Sequence, residues 1–136
     1  MNRKEQAVML HKNGFNCAQS VACSFCNIMG TNPEEVFRLA EPFGLGMGSM
    51  GTCGAVTAMA LVTGMKLSDG NLDNPKTKRD CYAMMQKLTE EFINKNSSII
   101  CRELKGFGTG EVLRDCNGCI EDAVELLDKH LLGIED

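Results

Sequence analysis

Apolar residues recur at three-and-four spacing through most of the chain, and no alternating segment bounded by turn residues marks a strand. The pattern predicts an all-α protein, a bundle of about six or seven helices around a glycine-rich loop. Residues 3 to 13 read as a polar-rich first helix with Ala7 and Leu10 inward and His11 at its boundary, closed by Asn13-Gly14 as a glycine C-cap. Asn16, with Gln19 three residues on, is a reciprocal capping pair. The next helix should therefore start at Cys17 and run to near Gly30, burying Cys17, Ala18, Val21, Ala22, Phe25, Ile28 and Met29. Thr31-Asn32-Pro33-Glu34-Glu35 marks a third start, and that helix carries Val36, Phe37, Leu39 and Ala40 until Pro42 stops it.

Thr52 is placed to cap a helix from Ala55 to about Leu67, which is apolar on most sides and so central, with Gly64 as its weak point. Asp69-Gly70 and Asn74-Pro75 make 68 to 75 an exposed loop. A long helix from about 76 to 95 shows Cys81, Met84, Met85, Leu88 and Phe92 on one face, and Ser97 or Ser98 caps a short helix through Cys101 and Leu104. Gly106, Gly108 and Gly110 open a link before the last helix, Asp115-Cys116 to about Leu132, with Ile120, Ala123, Val124, Leu127 and Leu131 inward.

Between the third helix and the central one runs Gly44-Leu45-Gly46-Met47-Gly48-Ser49-Met50-Gly51-Thr52-Cys53-Gly54-Ala55. So many glycines raise the entropic cost of folding, which predicts a sharp turn or a close approach that delivers Cys53 to a helix start. Gly46, Gly48 and Gly51 match G-x-G-x-x-G literally, but no strand precedes them, which argues against dinucleotide binding.

Length changes the picture little: 136 residues make one domain, 1–136, with room for a hydrophobic core. Charge changes it more. A net charge of -4 argues against nucleic acid, which needs a surplus of Lys and Arg. The N-terminal segment has no apolar block of signal-peptide or membrane-span length, so the expectation is a cytoplasmic protein without membrane insertion. In a reducing compartment, 8 cysteines point to metal, catalysis or redox sensing rather than to structural disulfides. The apolar excess on several helices suits a homodimer.

Three cysteines directly follow a capping residue: Cys17 after Asn16, Cys53 after Thr52 and Cys116 after Asp115; Cys101 falls in a first turn if Ser98 caps. A helix N-terminus supplies partial positive charge and unpaired N–H groups, which stabilise a thiolate. The alternative is that these are small buried hydrophobes, a common fate of free cysteine.

The order Asn16-Cys17-Ala18, Gly51-Thr52-Cys53-Gly54-Ala55, Cys101-Arg102-Glu103-Leu104 and Cys116 before Ile120-Glu121-Asp122-Ala123 resembles the family of small proteins described as redox-active and named for a C, GCAxxG, C, C signature. The resemblance covers nearly the whole chain. It implies that Cys17, Cys53, Cys101 and Cys116 are the signature cysteines, with Cys23, Cys26, Cys81 and Cys119 as extras. Where the family pattern places a second glycine, this chain has Ala58.

Three functions follow from gathering those four cysteines. One is electron transfer through an iron–sulfur cluster or other metal centre held by Cys17, Cys53, Cys101 and Cys116, with Gly51 and Gly54 of the loop offering backbone N–H groups to the centre. The second is thiol–disulfide chemistry with an unknown redox partner, Cys53 attacking and Cys17, Cys101 or Cys116 resolving. The third is a structural zinc or interaction protein without redox activity, suggested by the C-x-x-C pairs Cys23/Cys26 and Cys116/Cys119. Cys23 and Cys26 themselves read as helix-face residues, and His11 and His130 as surface or boundary residues outside any catalytic motif.

Overall fold

The computed structural model describes residues 1–135 and is all-α, with eight α-helices and no strand among them. In chain order these are α1 (Arg3–Lys12), α2 (Cys17–Cys23), α3 (Cys26–Met29), α4 (Pro33–Ala40), α5 (Gly54–Leu67), α6 (Lys78–Asn96), α7 (Cys101–Lys105) and α8 (Cys116–Leu132). No helix among the described residues is long and apolar enough to cross a membrane.

The count exceeds six or seven because the helix expected from Cys17 to Gly30 is two. Phe25 turns its backbone and drops into the core, fully buried, while Ile28 is left about half exposed. Helical spacing alone does not register such a break, since Cys26 resumes the same apolar side. Leu39 is exposed, and α4 ends at Ala40, ahead of Pro42, in a tight 3₁₀ turn at Glu41–Phe43.

α5 is central, as its all-round apolarity predicts: it packs against α2, α6 and α8, while α1 lies along α8. Phe25, Met59, Leu88, Phe92, Ile120 and Leu127 are fully buried between these helices. Ala58 is fully buried too, so alanine serves where the family pattern has glycine.

The glycine-rich loop contains a wide turn at Gly46–Met50, and Leu45, Gly46, Met47, Gly48 and Met50 all take positive φ. For Leu45, Met47 and Met50 this left-handed backbone costs on the order of 1 kcal/mol each. Two close approaches explain the glycines that matter most. A Cβ on Gly46 would lie 2.5 Å from the Gly51 nitrogen and 2.9 Å from the Cys101 Cβ. A Cβ on Gly54 would lie 3.0 Å from the Phe43 carbonyl oxygen and 3.2 Å from the Ala18 nitrogen, so a bare Gly54 lets the start of α5 sit against the start of α2.

The loop is also tied to the α6–α7 connection. The Cys53 N–H donates to the Ile99 carbonyl at 2.7 Å, the Cys101 N–H donates to the Gly51 carbonyl at 2.6 Å, and Thr52 and Ile100 form an isolated antiparallel bridge between these bonds. Thr52 is thereby used as a bridge residue, and Cys53, not Thr52, occupies the N-cap of α5.

Candidate functional site

Four helix starts meet at one cavity of about 190 Å³, and each brings a cysteine to its lining: Cys17, Cys53, Cys101 and Cys116. Cys17, Cys101 and Cys116 are the first residues of α2, α7 and α8. The first and last of these starts are set by side-chain caps. Asn16 Oδ1 accepts the Gln19 N–H at 2.9 Å while Gln19 Oε1 accepts the Asn16 N–H at 3.0 Å, and Asp115 Oδ1 accepts the Gly118 N–H at 2.7 Å. Asn16 Nδ2 also donates to the Glu41 carbonyl at 2.9 Å, tying the start of α2 to the turn before the glycine loop. Of the glycines singled out, Gly54 lines the cavity; Gly51 does not, and its contribution is the carbonyl that receives Cys101.

A fifth cysteine, Cys119, lines the same cavity and is 2% exposed. The family signature leaves it out, but the C-x-x-C spacing from Cys116 carries the signal: three residues apart at a helix start, the two sulfurs share a face. His11, Lys105 and Arg114 line the cavity as well, and none of them belongs to a motif. His11 Nδ1 lies 2.8 Å from Asn117 Oδ1. Cys23, Cys26 and Cys81 are outside the lining. The Cys26 thiol donates to the Ala22 carbonyl at 3.7 Å, and burial, with Cys26 alongside, pushes Cys23 up to about 11. His130 is likewise remote from the cavity and its Nε2 meets the Glu91 carboxylate.

Four of the sulfurs that line the cavity fall into two neighbouring pairs, Cys17 with Cys116 and Cys53 with Cys119. In the outer pair, the neighbouring Cys17 thiol lowers Cys116 to about 6 against the opposing effect of burial, with Lys105 and, less strongly, His11 also lowering it. Cys17 is driven upward by the same interaction with Cys116 and by burial. In the inner pair, the Cys119 thiol donates to the Arg114 carbonyl at 3.9 Å and lies beside Cys53; this neighbour, with the backbone N–H groups of Ala55 and Val56, lowers Cys53 to about 7 despite burial. Cys119 is raised by its interaction with Cys53 and by burial. Burial raises Cys101, opposed by Lys105, and Lys105 is itself raised, chiefly by the neighbouring Cys116 charge.

Both outer sulfurs are partly exposed, whereas Cys53 is 6% and Cys119 2% exposed. Cys116 and Cys53 are both depressed thiols; solvent reaches Cys116 more readily, and Cys119 is the sulfur beside Cys53. All eight cysteines are free thiols, and among the described residues no set of three or more His, Cys, Asp and Glu side chains converges tightly enough to hold a metal ion.

Arg114 is held at the cavity by Asp122, whose carboxylate takes Arg114 Nε at 3.0 Å and Nη2 at 3.1 Å, together with Lys95 Nζ at 2.6 Å and Asn96 Nδ2 at 3.0 Å. Burial works to raise the Asp122 pKa, but these donors outweigh it and hold the carboxyl below its ordinary value. A depressed folded value means that the contribution to stability is complete above the unfolded pKa of about 3.9 and is lost as pH falls through the folded one. Urea unfolding is therefore expected to show a drop in stability between pH 5 and 3 that is smaller in Asp122→Asn, whose amide does not titrate.

No curated protein and no solved structure matched the chain. The comparison with family models did give a match, over residues 15–130, to the family described as "Putative redox-active protein (C_GCAxxG_C_C)". That span contains all five cavity cysteines and every helix start that bears one, and the chain belongs to this family.

Proposed function

We propose that the protein is a two-electron thiol–disulfide redox protein whose attacking group is Cys116. The observation that carries this reading is the pairing of sulfurs across one cavity, each pair joining a thiol that readily ionises to a thiol that keeps its proton. A thiolate is the nucleophile of disulfide exchange, and a neighbouring thiol is what resolves the mixed disulfide. With an external disulfide, Cys116 sulfur attacks one sulfur and expels the other as a thiolate. Cys17 then gives up its proton to that thiolate and attacks Cys116, closing Cys17–Cys116 and releasing the second thiolate. Two electrons leave the protein, one disulfide forms in it and one is broken in the substrate. Lys105 stabilises the anionic state of Cys116 before attack.

The pH dependence of alkylation tests this reading. The Cys116 rate should rise with a midpoint near pH 6, well below the value of about 8.5 for an unperturbed thiol. A midpoint above 8 at Cys116 would remove the attacking group from the account.

A second reading, a metal or iron–sulfur centre, is favoured by the number of sulfurs around the cavity. The donor chemistry fits, since thiolates are the usual ligands of such centres, and Cys17, Cys53, Cys101 and Cys116 would hold it. Bound there, the centre would supply one-electron transfer. As placed, no three of these sulfurs converge tightly enough to hold an ion, so they would first have to draw together, which is why the thiol reading ranks above it. Anaerobic treatment with iron and sulfide, followed by absorbance and EPR, separates the two: the thiol reading expects no stoichiometric chromophore.

A further inference from the structure

We infer that the Cys116-Asn117-Gly118-Cys119 turn of α8 passes a disulfide from the outer pair to the inner pair, making the cavity a two-stage relay. The inference rests on the thiol–disulfide reading above.

The geometry that carries it is the sharing of one helix start by both pairs. Cys116 and Cys119 are the first and fourth residues of α8, on the same face and in the lining of one cavity, and each neighbours a cysteine brought there by a different helix packed on α8: Cys116 neighbours Cys17 of α2, and Cys119 neighbours Cys53 at the cap of α5. Residues three apart on a helix have Cβ atoms about 5–6 Å apart, and a disulfide needs about 3.5–4.5 Å, so a small closing of the first turn joins them. That turn is shaped for the purpose by Gly118, where a Cβ would lie 2.3 Å from Arg114 Nε and 2.7 Å from Asp115 Oδ1. Arg114 and Asp115 can therefore brace the turn against Gly118. Access differs between the pairs. Cys17 and Cys116 are partly exposed, but the inner sulfurs are almost wholly covered, so a bulky disulfide reaches Cys116 and not Cys53 or Cys119.

The relay conserves atoms and electrons. Once Cys17–Cys116 has formed, Cys119 sulfur, giving its proton to Cys53, attacks Cys116 and expels Cys17 as a thiolate. The disulfide is now Cys116–Cys119. Cys53 then loses that proton to Cys17 and attacks Cys119, forming Cys53–Cys119 and expelling Cys116 as a thiolate. One disulfide has moved, no external oxidant or reductant is consumed, and the outer pair is again Cys17 thiol and Cys116 thiolate. Solvation favours this direction. Oxidising the inner pair removes a buried ionisable sulfur, whereas the outer thiolate keeps part of its hydration in the reduced state. With both pairs in use, the protein stores two disulfides behind a single entry point.

The test mixes the fully reduced full-length chain, without oxygen, with one equivalent of oxidised glutathione at pH 7. Samples are quenched in acid at intervals, alkylated and mapped by peptide mass spectrometry. The relay predicts Cys17–Cys116 early and its replacement by Cys53–Cys119 later, with Cys116→Ser forming the inner disulfide at least about tenfold more slowly. A Cys17–Cys116 disulfide that persists unchanged overturns the relay while leaving the proposed redox function intact. An inner disulfide that forms in Cys116→Ser at the native rate overturns it as well. If no disulfide forms among these four cysteines, the redox function itself fails. Should Cys116→Ser not fold, the native time course alone decides between transfer and no transfer.

Discussion

Cys116→Ser is expected to slow alkylation by iodoacetamide at pH 6 by about tenfold or more. At that pH a thiol lowered to about 6 is half ionised. An unperturbed thiol of pKa about 8.5 is ionised to about 0.3%, roughly 160-fold less. Thiolates of low pKa are also weaker nucleophiles. A Brønsted coefficient of about 0.45 over about 2.5 units takes back roughly 13-fold, leaving an advantage of about 12-fold. The advantage shrinks as pH rises and ordinary thiols ionise, so the difference between native and variant should narrow to about twofold at pH 7. Cys81→Ser, in α6 and outside the cavity lining, should leave the fast phase in place.

Gly54→Val is expected to be among the most damaging single substitutions near the site, lowering stability by about 3 kcal/mol, or roughly 10 °C in Tm. The Cβ alone would touch the Phe43 carbonyl oxygen and the Ala18 nitrogen and Cβ, at 3.0, 3.2 and 3.4 Å. Two of these neighbours are backbone atoms of packed segments, so they cannot swing aside as a flexible side chain would, and the two further methyls of valine must push α5 from α2. The helix starts that bear Cys53 and Cys17 then separate, and the alkylation profile should lose its low-pH component along with the stability. Gly64→Ala provides the contrast. It lies within the same helix, a Cβ there meets nothing within 4 Å, and the added helix propensity should stabilise the protein by about 0.5–1 kcal/mol. Thermal unfolding of the two variants beside the native chain checks both signs.

The contrast between those glycines also marks how far the site was legible. Caps with polar side chains were readable: Asn16 with Gln19, Asn32 before Pro33, and Asp115 each start a helix where the residues predict it. Because a cysteine follows two of these caps directly, Cys17 and Cys116 were placed at helix starts from sequence alone. Thr52 misled because its backbone is engaged across the fold with Ile100, a pairing no local signal records, and Cys53 takes the cap in its stead. The break at Phe25 was hidden for a related reason: apolar residues continue on the same face through it, and tertiary burial of Phe25 decides where the axis bends.

The glycine loop was recognisable as a close approach, but which glycine approaches what depended on distant segments, Cys101 for Gly46 and Phe43 with Ala18 for Gly54. The pairing of sulfurs lay further out of reach. Cys119 belongs to a C-x-x-C pair in plain view, yet its partner is Cys53, 66 positions earlier in the chain, and only the packing of α5 on α8 joins them. Lys105 and His11, which help hold charge on Cys116, come from helices with no sequence link to it.

Disulfide mapping of the exhaustively oxidised protein tests the central claim most directly. Treated with excess oxidised glutathione, unfolded in acid with alkylation and digested, the chain should yield Cys17–Cys116 and Cys53–Cys119 as its disulfides, reversed by dithiothreitol, with Cys101 recovered as a free thiol. Bridges confined to Cys23, Cys26 and Cys81, with the cavity thiols left reduced, would contradict the account.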